Sequence, residues 1–181
     1  MRKHAMAVHE AAHALLGHYF GFQIKKLSFA DNGDAEMEIN FTDKAREQPA
    51  LGLNYFLMLA GGYIAAFMDS GPETFWKCNP TSLLKKSPDL EAMKKFDFDT
   101  VSSKEELTNL LTDLHALISK PKYWGKIQSL ADDFRDAPDG FLEDNIDILI
   151  ARCTRERIPE YDPTPLINFM VAELMAGQDS K

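Results

Sequence analysis

The chain has 181 residues, 45% hydrophobic and 27% charged, enough to bury a real core in one domain. A net charge of −8 and the absence of any Lys/Arg-rich run argue against nucleic acid as a partner. Cys78 and Cys153 are too few and too far apart for a disulfide framework or a cysteine metal site, and with no secretory signal a reducing cytoplasm is expected.

The first element runs from Ala5 to Phe22, AMAVHEAAHALLGHYFGF. No Pro or Gly interrupts Lys3 to Leu16, and Ala, Leu and Val favour helix, so a helix is expected over residues 4–20 with Gly21 ending it. Inside it lies His9-Glu10-Ala11-Ala12-His13, the H-E-x-x-H pattern of zinc hydrolases. Four helical residues turn the side chain through about 400°, which brings the two imidazoles within roughly 40° and one turn of each other. So placed they can hold one zinc ion, and Glu10 can reach a water beside it. Val8, Ala12, Leu15 and Tyr19 form an apolar stripe that could bury the helix. The plainer alternative is a core helix with two satisfied histidines, but a carboxylate and two imidazoles are costly to bury without a purpose.

A hairpin follows. Ile24 to Ala30 leads into Asp31-Asn32-Gly33-Asp34, and Ala35 to Phe41 alternates apolar and polar residues, with Asn-Gly suited to a type I′ turn. Its free edge could accept an extended peptide by strand addition, or it could only cover the helix. Pro49 to Met68 carries no charge and is about long enough to span a bilayer. Gly52, Asn54, Gly61-Gly62 and the lack of a basic flank point instead to a helix buried on all sides, and no membrane partner is expected. Asp69 to Thr81 reads as a loop punctuated by Gly71-Pro72 and Asn79-Pro80.

Ser87-Pro88-Asp89-Leu90-Glu91 has a helix start: Ser at the cap, Pro first, acids in the first turn. Ser103-Lys104-Glu105-Glu106 is a capping box ahead of Leu107, Leu110, Leu111, Leu114 and Ile118 on one face. Further helices open near Pro121 and at Asp139-Gly140, and Thr164 caps a last one reaching Gly177. The fold class expected is mainly α (α+β), with a small β-hairpin beside the H-E-x-x-H helix. Residues 1–157 form the domain, and residues 158–181 are a Pro-rich link and a C-terminal helix that packs on the same domain or on a partner, such as a second copy.

A catalytic zinc takes three protein ligands. His18 does not continue a metzincin pattern, since Leu16 and Tyr19 stand where Gly and His are required, and it lies about 180° around the helix from His9. His115, among leucines, reads as structural. Asp89, at a Pro-fixed helix start, could fold back to the histidines or merely stabilise that helix end, the better-supported role on these residues alone. Asp69 and Glu73 are reserves.

The chain resembles the peptidase domain of FtsH-type ATP-dependent zinc proteases, with motifs in the same order over most of its length. His9-Glu10-Ala11-Ala12-His13-Ala14-Leu15 is similar to the family's HEAGHAL, and Leu59-Ala60-Gly61-Gly62-Tyr63-Ile64-Ala65-Ala66 to its L-G-G-R-A-A-E helix. Ser87 to Ala92 is similar to N-D-L-x-x-A, whose Asp is the third zinc ligand. Ala12 replaces a Gly, Tyr63 and Phe67 stand where Arg and Glu are expected, and the usual Thr-Gly-Ala before the ligand Asp is missing. The resemblance implies a zinc metallopeptidase-like domain with His9, His13 and Asp89 as ligands and Glu10 as base. It would hydrolyse loose or unfolded polypeptides or peptides without ATP, since no ATPase module or membrane anchor is expected. His18, Tyr19 and Asn54 are candidates to support the oxyanion besides zinc. Iron, manganese or nickel would also suit two imidazoles and a carboxylate. The alternatives are a catalytically silent, zinc-stabilised protein-binding module and a peptidase that clips one regulator.

Overall fold

The unbroken run of helix-favouring residues Lys3–Tyr19 forms helix α1. It stops as expected: Gly21 takes φ +80°, a left-handed conformation that costs glycine little, and its N–H donates to His18 O at 3.0 Å. The computed structural model describes residues 3–29, 35–47, 49–78, 84–95, 103–136 and 141–176. Over these the protein is mainly helical with one small antiparallel sheet, the class expected.

Strands β1 (Phe22–Phe29) and β2 (Ala35–Phe41) pair antiparallel, with Phe22 opposite Phe41, Ile24 opposite Ile39 and Leu27 opposite Met37. The register slips between Ile24 and Lys26. That irregularity explains the uneven apolar spacing of β1, because an extra residue lets Phe22, Ile24 and Leu27 all turn inward. The Asn32-Gly33 turn lies outside the described residues. The sheet order is β2-β1-β3, where β3 (Phe141–Leu142) pairs with Lys26 and Leu27. The sequence reading started a helix at Asp139-Gly140, which lie outside the described residues. The helix instead begins at Glu143, after a third strand too short to show a period of two. Strand β2 is therefore an outer strand, with one edge unpaired among the described residues.

After the short α2 (Asp43–Arg46), α3 (Leu51–Ser70) is buried from Met58 to Met68. It is long and apolar enough to cross a membrane, yet 67% of that apolar window is buried inside the protein. Helices α1 and α3 run antiparallel: His4 meets Asp69, whereas His13 meets Met58 and Gly62. Small residues let them approach closely. A Cβ on Gly61 would lie 2.1 Å from Leu16 Cδ1, and Ala11, Ala12, Ala14, Ala60 and Ala65 are fully buried. The apolar stripe of α1 ends sooner than expected, since Tyr19 is 59% exposed and meets Tyr123 edge-on at the surface.

The segment read as a loop contains a helix, α4 (Pro72–Cys78). Pro72 serves as its first residue rather than as a breaker, and Phe75 and Trp76 fold back onto Phe67. Helix α5 (Pro88–Lys94) starts at the expected cap, with Leu90 N–H donating to Ser87 Oγ at 3.2 Å. Helix α6 (Lys104–Ile118) has the Ser103–Glu106 capping box. Helices α7 (Pro121–Asp136) and α8 (Glu143–Arg152) follow, and α7, whose buried residues include Trp124, Ile127 and Leu130, packs along α1.

In the last helix, α9 (Thr164–Ala176), Thr164 is already the first helical residue rather than the cap: Pro163 O accepts the Ile167 N–H at 3.0 Å, and the Asp162 carboxylate accepts the Thr164 N–H at 3.0 Å and hydroxyl at 2.6 Å. Leu166, Ile167, Met170, Val171 and Leu174 are buried against α6 and α3, so this helix packs on the same body as residues 1–157. Between α8 and α9 an irregular strap crosses α7 where Gly125 leaves room: a Cβ there would lie 1.8 Å from Arg155 O. Arg157 N–H donates to Pro121 O at 3.0 Å, and its guanidinium to Gln128 Oε1 at 3.0 Å.

Candidate metal centre

Two elements far apart in sequence build this site. Helix α1 presents His9 and His13 one turn apart, as the H-E-x-x-H spacing requires, and the first turn of α5 presents Asp89. His9 Nε2 lies 3.0 Å from Asp89 Oδ2, His13 Nε2 lies 3.4 Å from the same oxygen, and the two Nε2 atoms are 2.8 Å apart. A tetrahedral zinc with bonds of about 2.0–2.1 Å holds its ligand atoms about 3.3 Å apart. Three atoms already close to that spacing fit such an ion with only small adjustments.

The imidazoles are held unequally. His13 is 2% exposed, and its Nδ1–H donates to Met58 O of α3 at 2.8 Å, which leaves Nε2 turned towards Asp89. His9 Nδ1 is buried without a partner among the described residues. An unsatisfied group of that kind costs about 1–3 kcal/mol, so the ring is held for the sake of its other nitrogen. Its orientation comes from shape: the Tyr63 ring of α3 meets it edge-on at 4.9 Å, and the His13 ring at 4.3 Å. Glycine is required opposite His13, since a Cβ on Gly62 would sit 2.4 Å from His13 Cε1 and 2.7 Å from Nε2.

Glu10 is 6% exposed, and its carboxylate lies within 4.8 Å of the ligand nitrogens of His9 and His13, a spacing one water can bridge. Proximity alone would allow a His9–Glu10–His13 donor set. Asp89 is the better third donor, because a single oxygen of it contacts both imidazole nitrogens. The reserves are engaged elsewhere: Asp69 accepts from Gln128 at 3.0 Å and pairs with His4 at 3.3 Å, and Glu73 is exposed on α4. His18 is exposed at the end of α1, Asn54 is half-buried, and His115 is partly buried on α6. A cavity of about 230 Å³ opens away from this centre, between α7 and the strap, where Asp69, Gln128 and Arg157 satisfy one another.

Tyr63, which the sequence marks only as standing where the family has Arg, borders the site. It is 8% exposed and its hydroxyl donates to Ser87 Oγ. The available signal was a phenol in the middle of an otherwise apolar helix, which must find a polar partner when buried.

Burial alone would lower the pKa of His13, but the hydrogen bond it donates to Asp89 and the charges of Asp89 and Glu10 outweigh it and raise the value to about 9. Burial likewise would raise Asp89, yet hydrogen bonds and charge from His13 and His9 hold its carboxyl well below the usual range. In metal-free protein the His13 contribution to stability is complete below its ordinary 6.5 and is lost as pH rises through about 9. That of Asp89 is present above its ordinary 3.8 and fades as pH falls below it. Thermal melts in chelator are therefore expected to peak between pH 3.8 and 6.5 and to decline towards about 9. A profile flat over the upper range, or unchanged by Asp89→Asn, contradicts this pairing.

Compared with protein-family models, with curated proteins and with solved structures, the chain has no match, so the likeness to FtsH-type peptidases rests on its motifs and on the order in which they occur.

Proposed function

We propose that the protein is a zinc-dependent endopeptidase acting on unfolded polypeptides or peptides, as its resemblance to FtsH-type peptidase domains implies, and that, unlike them, it cuts without ATP. The observation that carries this reading is the convergence of His9, His13 and Asp89 on one point, with the buried carboxylate of Glu10 beside it. A zinc ion held there would supply a Lewis acid, which polarises a carbonyl and brings the pKa of an adjacent water towards about 7.

The chain's own residues do the rest. Glu10 receives a proton from water at its carboxylate and returns it to the leaving amine. Met58 O fixes the His13 tautomer, and the depressed pKa of Asp89 keeps it an anion. The edge of β2 that pairs with no strand among the described residues offers backbone donors and acceptors to an extended segment, which a loose chain can supply and a folded one cannot.

The depth of the centre favours a second reading, a catalytically silent binding module stabilised by zinc. His9, Glu10 and His13 are 5%, 6% and 2% exposed. The two readings separate on a reduced, carboxymethylated protein as substrate. The peptidase is expected to cut it without ATP, to stop on chelation and to resume when zinc is restored. Zinc-loaded protein that raises its melting temperature but cuts nothing is the silent module.

A further inference from the structure

We propose that Tyr63 is a positioning residue that sets two of the three metal ligands at once, its ring orienting His9 and its hydroxyl fixing Asp89 through the Ser87 cap; this rests on the metal-centre reading above. Two independent contacts meet in this one side chain. The ring stands edge-on to His9 with centroids 4.9 Å apart and planes at 86°. His9 has no hydrogen-bond partner for its second nitrogen among the described residues, whereas His13 has Met58 O. A metal-bound histidine is ordinarily oriented by a hydrogen bond to its remote nitrogen. Here the aromatic wall takes over that task for His9.

The hydroxyl works at a distance of two residues. Tyr63 O–H donates to Ser87 Oγ, and the same oxygen accepts the Leu90 N–H at 3.2 Å. Ser87 is the cap residue of α5, Pro88 fixes the first helical position, and Asp89 is the next residue. The direction in which the Asp89 carboxylate leaves the helix therefore depends on where the cap sits, and the cap is moored to α3 by Tyr63. Since α3 also carries the Met58 carbonyl and the Gly62 gap for His13, one helix references all three ligands. A buried tyrosine that merely satisfied its hydroxyl would require none of these neighbours to be ligands.

Zinc affinity, read by competition with a coloured chelator, separates the two contributions. Tyr63→Phe keeps the ring and removes only the mooring, so affinity is expected to fall about tenfold, the lower end of effects from outer-shell partners, and Tyr63→Leu, which removes both, about a hundredfold. Ser87→Ala should match Tyr63→Phe or exceed it, the double variant should be no weaker than Ser87→Ala, and Ser87→Thr, which restores a hydroxyl, should bind as wild type. Cobalt-loaded Tyr63→Phe should show a visible absorption band altered from wild type. Wild-type affinity and an unchanged cobalt spectrum in Tyr63→Phe and Ser87→Ala, with only a lowered melting temperature, overturn the proposal. If His9→Ala and Asp89→Asn instead bind zinc as wild type does, the metal centre itself is misassigned, a different and distinguishable failure.

Discussion

Replacing Glu10 by Gln is expected to lower hydrolysis of an unfolded polypeptide by at least about 10²–10⁴-fold, the range contributed by a positioned general base, while zinc content stays at the wild-type level. The amide has nearly the shape of the carboxylate, so packing around a residue 6% exposed is preserved. What it loses is the ability to take up a proton. Zinc should remain because the three converging atoms belong to His9, His13 and Asp89. Turnover equal to wild type ends the mechanism. Loss of zinc with Glu10→Gln would mean that Glu10, already within 4.8 Å of both imidazole nitrogens, is itself a ligand.

Gly62→Ala should be nearly as damaging, for a steric reason. The added methyl would lie 2.4 Å from His13 Cε1, 2.7 Å from Nε2 and 2.9 Å from Nδ1, closer than non-bonded carbon tolerates. The ring cannot swing aside without giving up Met58 O, and the helices cannot separate without opening the Leu16–Gly61 contact. Overpacking of this kind costs about 1–3 kcal/mol, and here the strain falls on a ligand. The expected result is a lowered melting temperature together with less than one zinc per chain. Gly61→Ala is the control: its methyl meets the end of the flexible Leu16 side chain, so stability should fall while zinc stoichiometry holds. A Gly62→Ala protein that binds zinc as tightly as wild type would show that His13 is not held as described.

What could be read from the sequence divides along a physical line. Local signals carried well, because they depend on neighbours a few residues away: the H-E-x-x-H helix, its end at Gly21, the Ser87-Pro88 cap and the Ser103 capping box. Asp89 was different. Its helix start was plain, but its proximity to His9 spans 80 residues, and only the order of motifs suggested it. Pro72 was misread because proline both breaks helices and begins them, and the aromatic packing of Phe75 and Trp76 decides between the two. Thr164 was misread because it is already the first helical residue, and its own N–H is taken up by the Asp162 carboxylate two residues earlier, across a proline. Tyr63 was noted only as a departure from the family's Arg, because composition marks α3 as apolar and gives no sign of a neighbour 54 residues away.

The bond from His13 to Met58 ends on a main-chain carbonyl. Every amino acid brings the same carbonyl, so evolution can exchange residue 58 for any that fills the space and keeps the helix, and the imidazole's proton stays where it is. Gly62, one turn further on, has no such latitude. Among homologous chains, drift at the first position beside invariance at the second would be the genetic trace of a centre anchored by backbone rather than by side chain.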